Sequence, residues 1–145
     1  MKVPKLTIYT KSAGVEISPY EKRQEGKPRE GRISLRFFNI TSGSQQLRFV
    51  AEPSEGFELF RMINKVFVEG DKEALTHQYE GDEGKIVTKL TVEKYERNHK
   101  TGYAFTIQRG NESINIAASA STFLHAGEFL KHLSLTEAWA EQPTQ

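Results

Sequence analysis

Cysteine is absent from the 145 residues, which removes disulfides, zinc–thiolate sites and thiol catalysis together. Long apolar runs are missing too: no window approaches the ~18 apolar residues of a membrane span. Nor does one sign of charge dominate. Twenty Lys and Arg stand against 19 Asp and Glu, a formal net charge of +1, so the total neither indicates nor excludes a polyanionic partner. What matters is where the cations sit. The opening Met1-Lys2-Val3-Pro4-Lys5 has no apolar segment typical of a secretory signal. The expectation is a soluble intracellular protein of cytoplasm or nucleoid, or of an organelle matrix if the chain is a mature form. Two sequons, at Asn39 and Asn111, then read as chance.

A domain of this length buries about 68–70% of its unfolded surface and can fold without cross-links. Residues 1–140 read as one domain, with a frayed tail over 141–145. The strongest pattern is period-two alternation between turn clusters, the mark of half-buried antiparallel strands. It runs through Leu6-Thr7-Ile8-Tyr9, Val15-Glu16-Ile17, residues 32–38 and Leu47-Arg48-Phe49-Val50. Residues 18–31, with Pro19, Gly26 and Pro28, read as a mobile loop, and Thr41-Ser42-Gly43-Ser44 as a turn.

A helix is expected from Pro53 or Ser54, with Phe57, Phe60, Ile63 and Phe67 near helical spacing and an end at Gly70-Asp71. Strands resume at residues 75–79, 85–95, 103–107 and 113–116, with Gly81-Asp82-Glu83-Gly84, Arg97-Asn98-His99-Lys100 and Gly110-Asn111 as turns. A second helix is expected over about 121–133, capped by Ser119 or Ser121, with Phe123, Ala126, Leu130 and Leu133 on one face. The order is four strands, a helix, four strands, a helix: an α+β chain.

From Gly81, the run Gly-Asp-Glu-Gly-Lys-Ile-Val-Thr-Lys-Leu-Thr-Val-Glu resembles the corresponding segment of the plant Whirly proteins. The likeness continues through Gly102-Tyr103-Ala104-Phe105, Ile114-Asn115-Ile116 and the helix carrying Phe123 and Phe129. Residues 8–14 fall where that family has Lys-Gly-Lys-Ala-Ala-Leu; Lys11 is kept but the Gly-Lys-Ala core is not. The resemblance implies two four-stranded antiparallel sheets packed across each other, each followed by a helix (ββββαββββα). It also implies a homotetramer binding single-stranded DNA with little sequence preference, in transcription or in genome maintenance and replication. Related coactivators and guide-RNA-binding proteins take single strands on similar scaffolds. The missing motif removes the implication of higher assembly of tetramers.

The chemistry agrees with such a role. A sequence-tolerant single-strand binder needs aromatic platforms for bases and cations along the phosphates, and a sheet displays every second residue on its open face. With Ile33, Leu35 and Phe37 inward, Arg36 and Phe38 face out; with Leu47 and Phe49 inward, Arg48 does. Along the long strand Ile86, Leu90 and Val92 read as core, leaving Lys85, Val87, Lys89 and Tyr95 exposed, with Thr106 and Gln108 alongside. Glu93 is the main carboxylate expected there. The candidate interface is Tyr9, Arg36, Phe38, Arg48, Lys85, Lys89, Tyr95 and Gln108. For each alone the default is plainer. Phe38 reads equally as core or as a subunit contact, tyrosines are more often packed at a rim, and lone cations on a wet sheet face are solubilising.

Nothing points to catalysis. His77, His99, His125 and His132 are scattered, and no phosphate-cradling glycine loop, nucleophile elbow or paired carboxylates appear. The expectation is therefore a protein that is not an enzyme and needs no metal or cofactor. Single-stranded DNA is its expected partner, with single-stranded or guide RNA, or a non-nucleic-acid interaction module, as the alternatives.

Overall fold

The computed structural model of the chain describes residues 1–41 and 45–143. The expected turn at 41–44 lies largely outside them. Four strands come first, β1 (Leu6–Tyr9), β2 (Ala13–Lys22), β3 (Glu30–Asn39) and β4 (Gln46–Ala51), then α1 (Pro53–Glu69). Four more follow, β5 (Lys72–Gly81), β6 (Gly84–Arg97), β7 (Lys100–Arg109) and β8 (Glu112–Ala118), then α2 (Ala120–Thr136). Each quartet is one antiparallel sheet in sequence order. The expected ββββαββββα architecture is what the chain adopts.

The alternation sets the inner faces. In the first sheet Ile17, Leu35 and Phe49 form one cross-strand row. In the second, Leu75, Leu90, Ile107 and Ile114 form another. These rows and the buried stripes of α1 (Leu59, Met62, Ile63, Val66) and α2 (Phe123, Ala126, Leu130, Leu133) join in a single core. Each large apolar side chain so buried contributes about 1.5–3 kcal/mol. Two helix glycines permit the close packing. Gly56 faces the δ-methyl of Ile33, and a β-carbon at Gly127 would sit 3.1 Å from Ile63 Cγ2.

Helix starts are fixed locally. At α1 the Glu55 carboxylate accepts from the Glu52 backbone N–H at 2.9 Å, with Pro53 in the first turn. At α2 the Ser119 hydroxyl accepts from the Thr122 N–H at 3.3 Å, so Ser119 is the cap rather than Ser121.

Two expectations need correction. Residues 18–31 are not one loop: β2 runs on to Lys22 and β3 begins at Glu30. Pro19 is tolerated because β1 pairs only as far as Ile17, leaving β2 an edge from Ser18 onward. The tail is not free from its first residue either. The Gly31 N–H donates to the Trp139 carbonyl and the Glu141 N–H to the Arg29 carbonyl, each at 2.9 Å. Arg29 Nη2 also lies 2.7 Å from Glu141 Oε2. The segment thus continues the sheet edge where β4 has ended. Among the described residues, no helix is long and apolar enough to cross a membrane.

Candidate nucleic-acid interface

The outer face of the first sheet is organised by cross-strand rows. One row is Tyr9, Gly14, Phe38 and Gln46; the next is Thr7, Glu16, Arg36 and Arg48. Phe38 lies across Gly14: a β-carbon at position 14 would stand 2.5 Å from Phe38 Cζ and 2.8 Å from Cε2. Only glycine leaves room for a ring laid down on the neighbouring strand, and the ring in turn covers the bare backbone. Tyr9, 67% exposed, meets Phe38 edge-on with centroids 6.1 Å apart. The Arg36 guanidinium sits over the Phe38 ring at 4.8 Å, within the range of cation–π attraction.

Arg36 and Arg48 are directly opposite in the register, and like charges so placed repel. Their side chains diverge accordingly. Arg36 turns to Phe38 and to Glu16, with Nη2 3.2 Å from Oε2. Arg48 turns the other way, over the Tyr20 ring at 5.4 Å. Arg48 is exposed and in no ion pair among the described residues, so its charge is open to an anion. Arg36 is partly neutralised. This corrects the expectation that Glu93 is the main carboxylate on the open faces, because Glu16 lies between Arg36 and Lys5, whose Nζ is 3.9 Å away.

On the second sheet the outer rows are Thr76, Lys89, Gln108, Ser113 and, beside it, Ala74, Thr91, Thr106, Asn115. Lys89 and Gln108 are thus direct neighbours, both exposed, next to a depression of about 420 Å³ that also takes in Thr91 and Thr106. Tyr95 repeats the device of the first sheet. It lies across Gly102 on β7, where a β-carbon would stand 2.5 Å from Tyr95 Cζ and 2.6 Å from its hydroxyl oxygen. Lys85 shares the face but is ten residues from Tyr95, roughly 33 Å along the strand at ~3.3 Å per residue.

The eight candidate residues therefore do not form one patch. The inner faces of both sheets meet in the common core, so the outer faces point away from it in separate directions. Tyr9, Phe38, Arg36 and Arg48 gather on one, Lys89 and Gln108 on the other. Tyr95 lies towards the 97–100 hairpin and Lys85 towards the opposite end. Sequence reasoning missed Tyr20, placed in a presumed loop, and missed Glu16 and the two glycines that seat the rings. Glycine opposite an aromatic residue becomes visible only once the register is known.

Histidines take other roles. His77 stacks on Phe49 with centroids 4.1 Å apart and has Nε2 2.7 Å from Glu55 Oε2, tying β5 to β4 and α1. His99 is in the 97–100 turn, and His125 and His132 are exposed on α2. Among the described residues no group of three metal-ligating side chains comes together.

Solved structures share this architecture. The plant transcriptional regulator PBF-2 superposes with a TM-score of 0.62 over 94% of this chain and 83% of its own, at 16% identity. WHY1 from Arabidopsis thaliana superposes with 0.63 over 94% and 92%, also at 16% identity. The fold is the Whirly fold. No family model matches the sequence, and no curated protein matches it either. The Whirly resemblance drawn from strand order and the Gly81 segment thus holds at the level of three-dimensional structure.

Proposed function

We propose that this chain binds single-stranded nucleic acid, DNA first, with little sequence preference, and serves in transcription or in genome maintenance and replication. The observation that carries the reading is the Phe38 ring seated on Gly14, with Tyr9 at its edge and Arg36 above it, on the outer face of the first sheet. Arg36 covers the outer face of this ring, so a base stacks by taking the place of the guanidinium over Phe38, while nearby Arg48 offers charge to phosphate. Tyr95 on Gly102 and the Lys89–Gln108 pair supply the same elements on the second sheet. The fold likeness to a plant transcriptional regulator supports the reading.

The role is binding rather than catalysis. Subunits assemble as homo-oligomers, a tetramer first, through the helices, which leave Phe57, Val68 and Leu135 exposed at 41%, 77% and 72%.

Anisotropy titrations with matched fluorescent oligo-dT and oligo-rU test the proposal. It expects saturable binding to oligo-dT, weaker binding to oligo-rU, and affinity that falls with salt at about −0.7 log units per log salt for each phosphate neutralised. Tighter binding to oligo-rU would favour the RNA reading, since only RNA offers a 2′-hydroxyl, and equal affinity would remove the preference for DNA. Weak, salt-insensitive binding to both would leave only a non-nucleic-acid module.

A further inference from the structure

We infer that the tip of the β6–β7 hairpin is a site for one nucleotide unit, taking a phosphate between Arg97 and Lys100 and the adjoining base against Tyr95. This rests on the outer face of the second sheet binding single strands and says where one nucleotide of the strand is held. Arg97 and Lys100 are the closing cross-strand pair of the hairpin, on the same face as Tyr95 and Gly102 one row inward. Like charges directly opposite destabilise a strand pair, yet neither residue has an ion-pair partner among the described residues. The turn holds them together, because Asn98 (φ 53°) and His99 (φ 63°) both adopt the left-handed backbone of a tight two-residue hairpin. An anion between the two cations relieves their repulsion.

The space fits. A groove of about 510 Å³ is lined by Tyr95, Arg97, Asn98, Lys100, Gly102 and Ser119, among others, within the ~300–1,000 Å³ of small-ligand sites. The Tyr95 ring, seated on the Gly102 backbone, forms one wall of it. On the other side of Tyr95 a depression of about 460 Å³ is bordered by Glu93 and Glu96, with Arg97 standing between it and the groove. Carboxylates there repel a phosphate, so the anion is directed to the hairpin tip. The chemistry required is a planar ring one phosphate-length from an anionic oxygen, which a free nucleotide and a nucleotide within a strand both supply.

Amide chemical-shift titrations of the full chain with dTMP, thymidine, inorganic phosphate, and 5′-phosphorylated and unphosphorylated oligo-dT test the inference. The expected result is that dTMP moves the amides of residues 95–102 more than thymidine or phosphate does. Arg97→Gln/Lys100→Gln should lower dTMP affinity at least tenfold, and Tyr95→Leu should lower dTMP but not phosphate affinity. Shifts in the same amides with either oligomer identify a strand as the source, and a clear preference for the 5′-phosphorylated one places the strand's end there. Shifts confined to dTMP identify a free nucleotide. Absence of dTMP shifts at 95–102, or shifts indifferent to all three substitutions, overturns the inference. If oligo-dT still binds elsewhere, the proposed function survives that failure; if oligo-dT binds nowhere, the proposed function falls as well.

Discussion

Phe38 on β3 rests on the backbone of Gly14 on β2, so closely that the glycine could carry no β-carbon without displacing the ring. The relationship joins fold and function, because what orders the ring on the open face is the register of two strands. Gly14→Val is therefore expected to act at a distance. Its side chain would also press on the Ile8 carbonyl oxygen, 3.2 Å from the β-carbon position, so circular dichroism accompanies the titration. With the fold kept, the variant should lift Phe38 off its seat and reduce oligo-dT affinity nearly as far as Phe38→Ala. Base stacking on an aromatic side chain is worth about 1–3 kcal/mol per base, and a binding isotherm of each variant measures the loss. Undiminished affinity in Gly14→Val would show that the seated ring does not matter.

The two opposed arginines separate in the same experiment. Arg48 has no acidic partner among the described residues, whereas Arg36 shares its charge with Glu16 at 3.2 Å. Arg48→Ala should flatten the log-affinity against log-salt slope by about 0.7, and Arg36→Ala by less. Glu16→Gln should steepen it by freeing Arg36. A salt series from low to moderate ionic strength checks all three.

Much of this was legible beforehand. Alternation placed Ile33, Leu35 and Phe37 in the core correctly, because each face of a half-buried strand repeats every two residues. On the opposite face, however, Ser34 is buried, only 3% exposed, and Arg36 and Phe38 are only half-exposed. Positions that depend on pairing were not legible. Gly14 opposite Phe38, Gly102 opposite Tyr95, and Arg97 opposite Lys100 are properties of register, which local sequence does not state. Tyr20 was hidden by Pro19, a strand breaker that becomes harmless where β2 is an edge.

Packing between the helices gives a stability prediction. Gly56 in α1 faces the fully buried Ile33, with the Leu130 carbonyl 3.4 Å from where a β-carbon would stand. Glycine in a helix costs about 1 kcal/mol relative to alanine, so a side chain there would ordinarily help. Here Gly56→Val should destabilise by about 1–3 kcal/mol through overpacking, read as a lower denaturant midpoint. Adding Ile33→Val, which removes the opposing methyl, should recover part of it.

The Arg29–Glu141 contact sets a pH response. Hydrogen bonds from the Arg29 side chain and backbone, aided by its charge, hold the Glu141 carboxyl down at about 2, against 4.5 unperturbed. A lowered folded-state value means the attachment is complete above pH ~4.5 and is lost as pH falls towards 2. Trp139, the single tryptophan, reports release of the segment. Its emission should shift to the red across that window in the wild type. In Glu141→Gln the shift should already be present at neutral pH.

The most direct test removes both seated rings at once. Phe38→Leu/Tyr95→Leu keeps apolar cover over Gly14 and Gly102 but abolishes the π-faces, and its affinity for oligo-dT is compared with wild type across a salt series. The account predicts a loss of at least tenfold with an unchanged salt slope, since phosphate contacts persist while stacking is gone. Wild-type affinity in this variant, with circular dichroism showing a native fold, would contradict it.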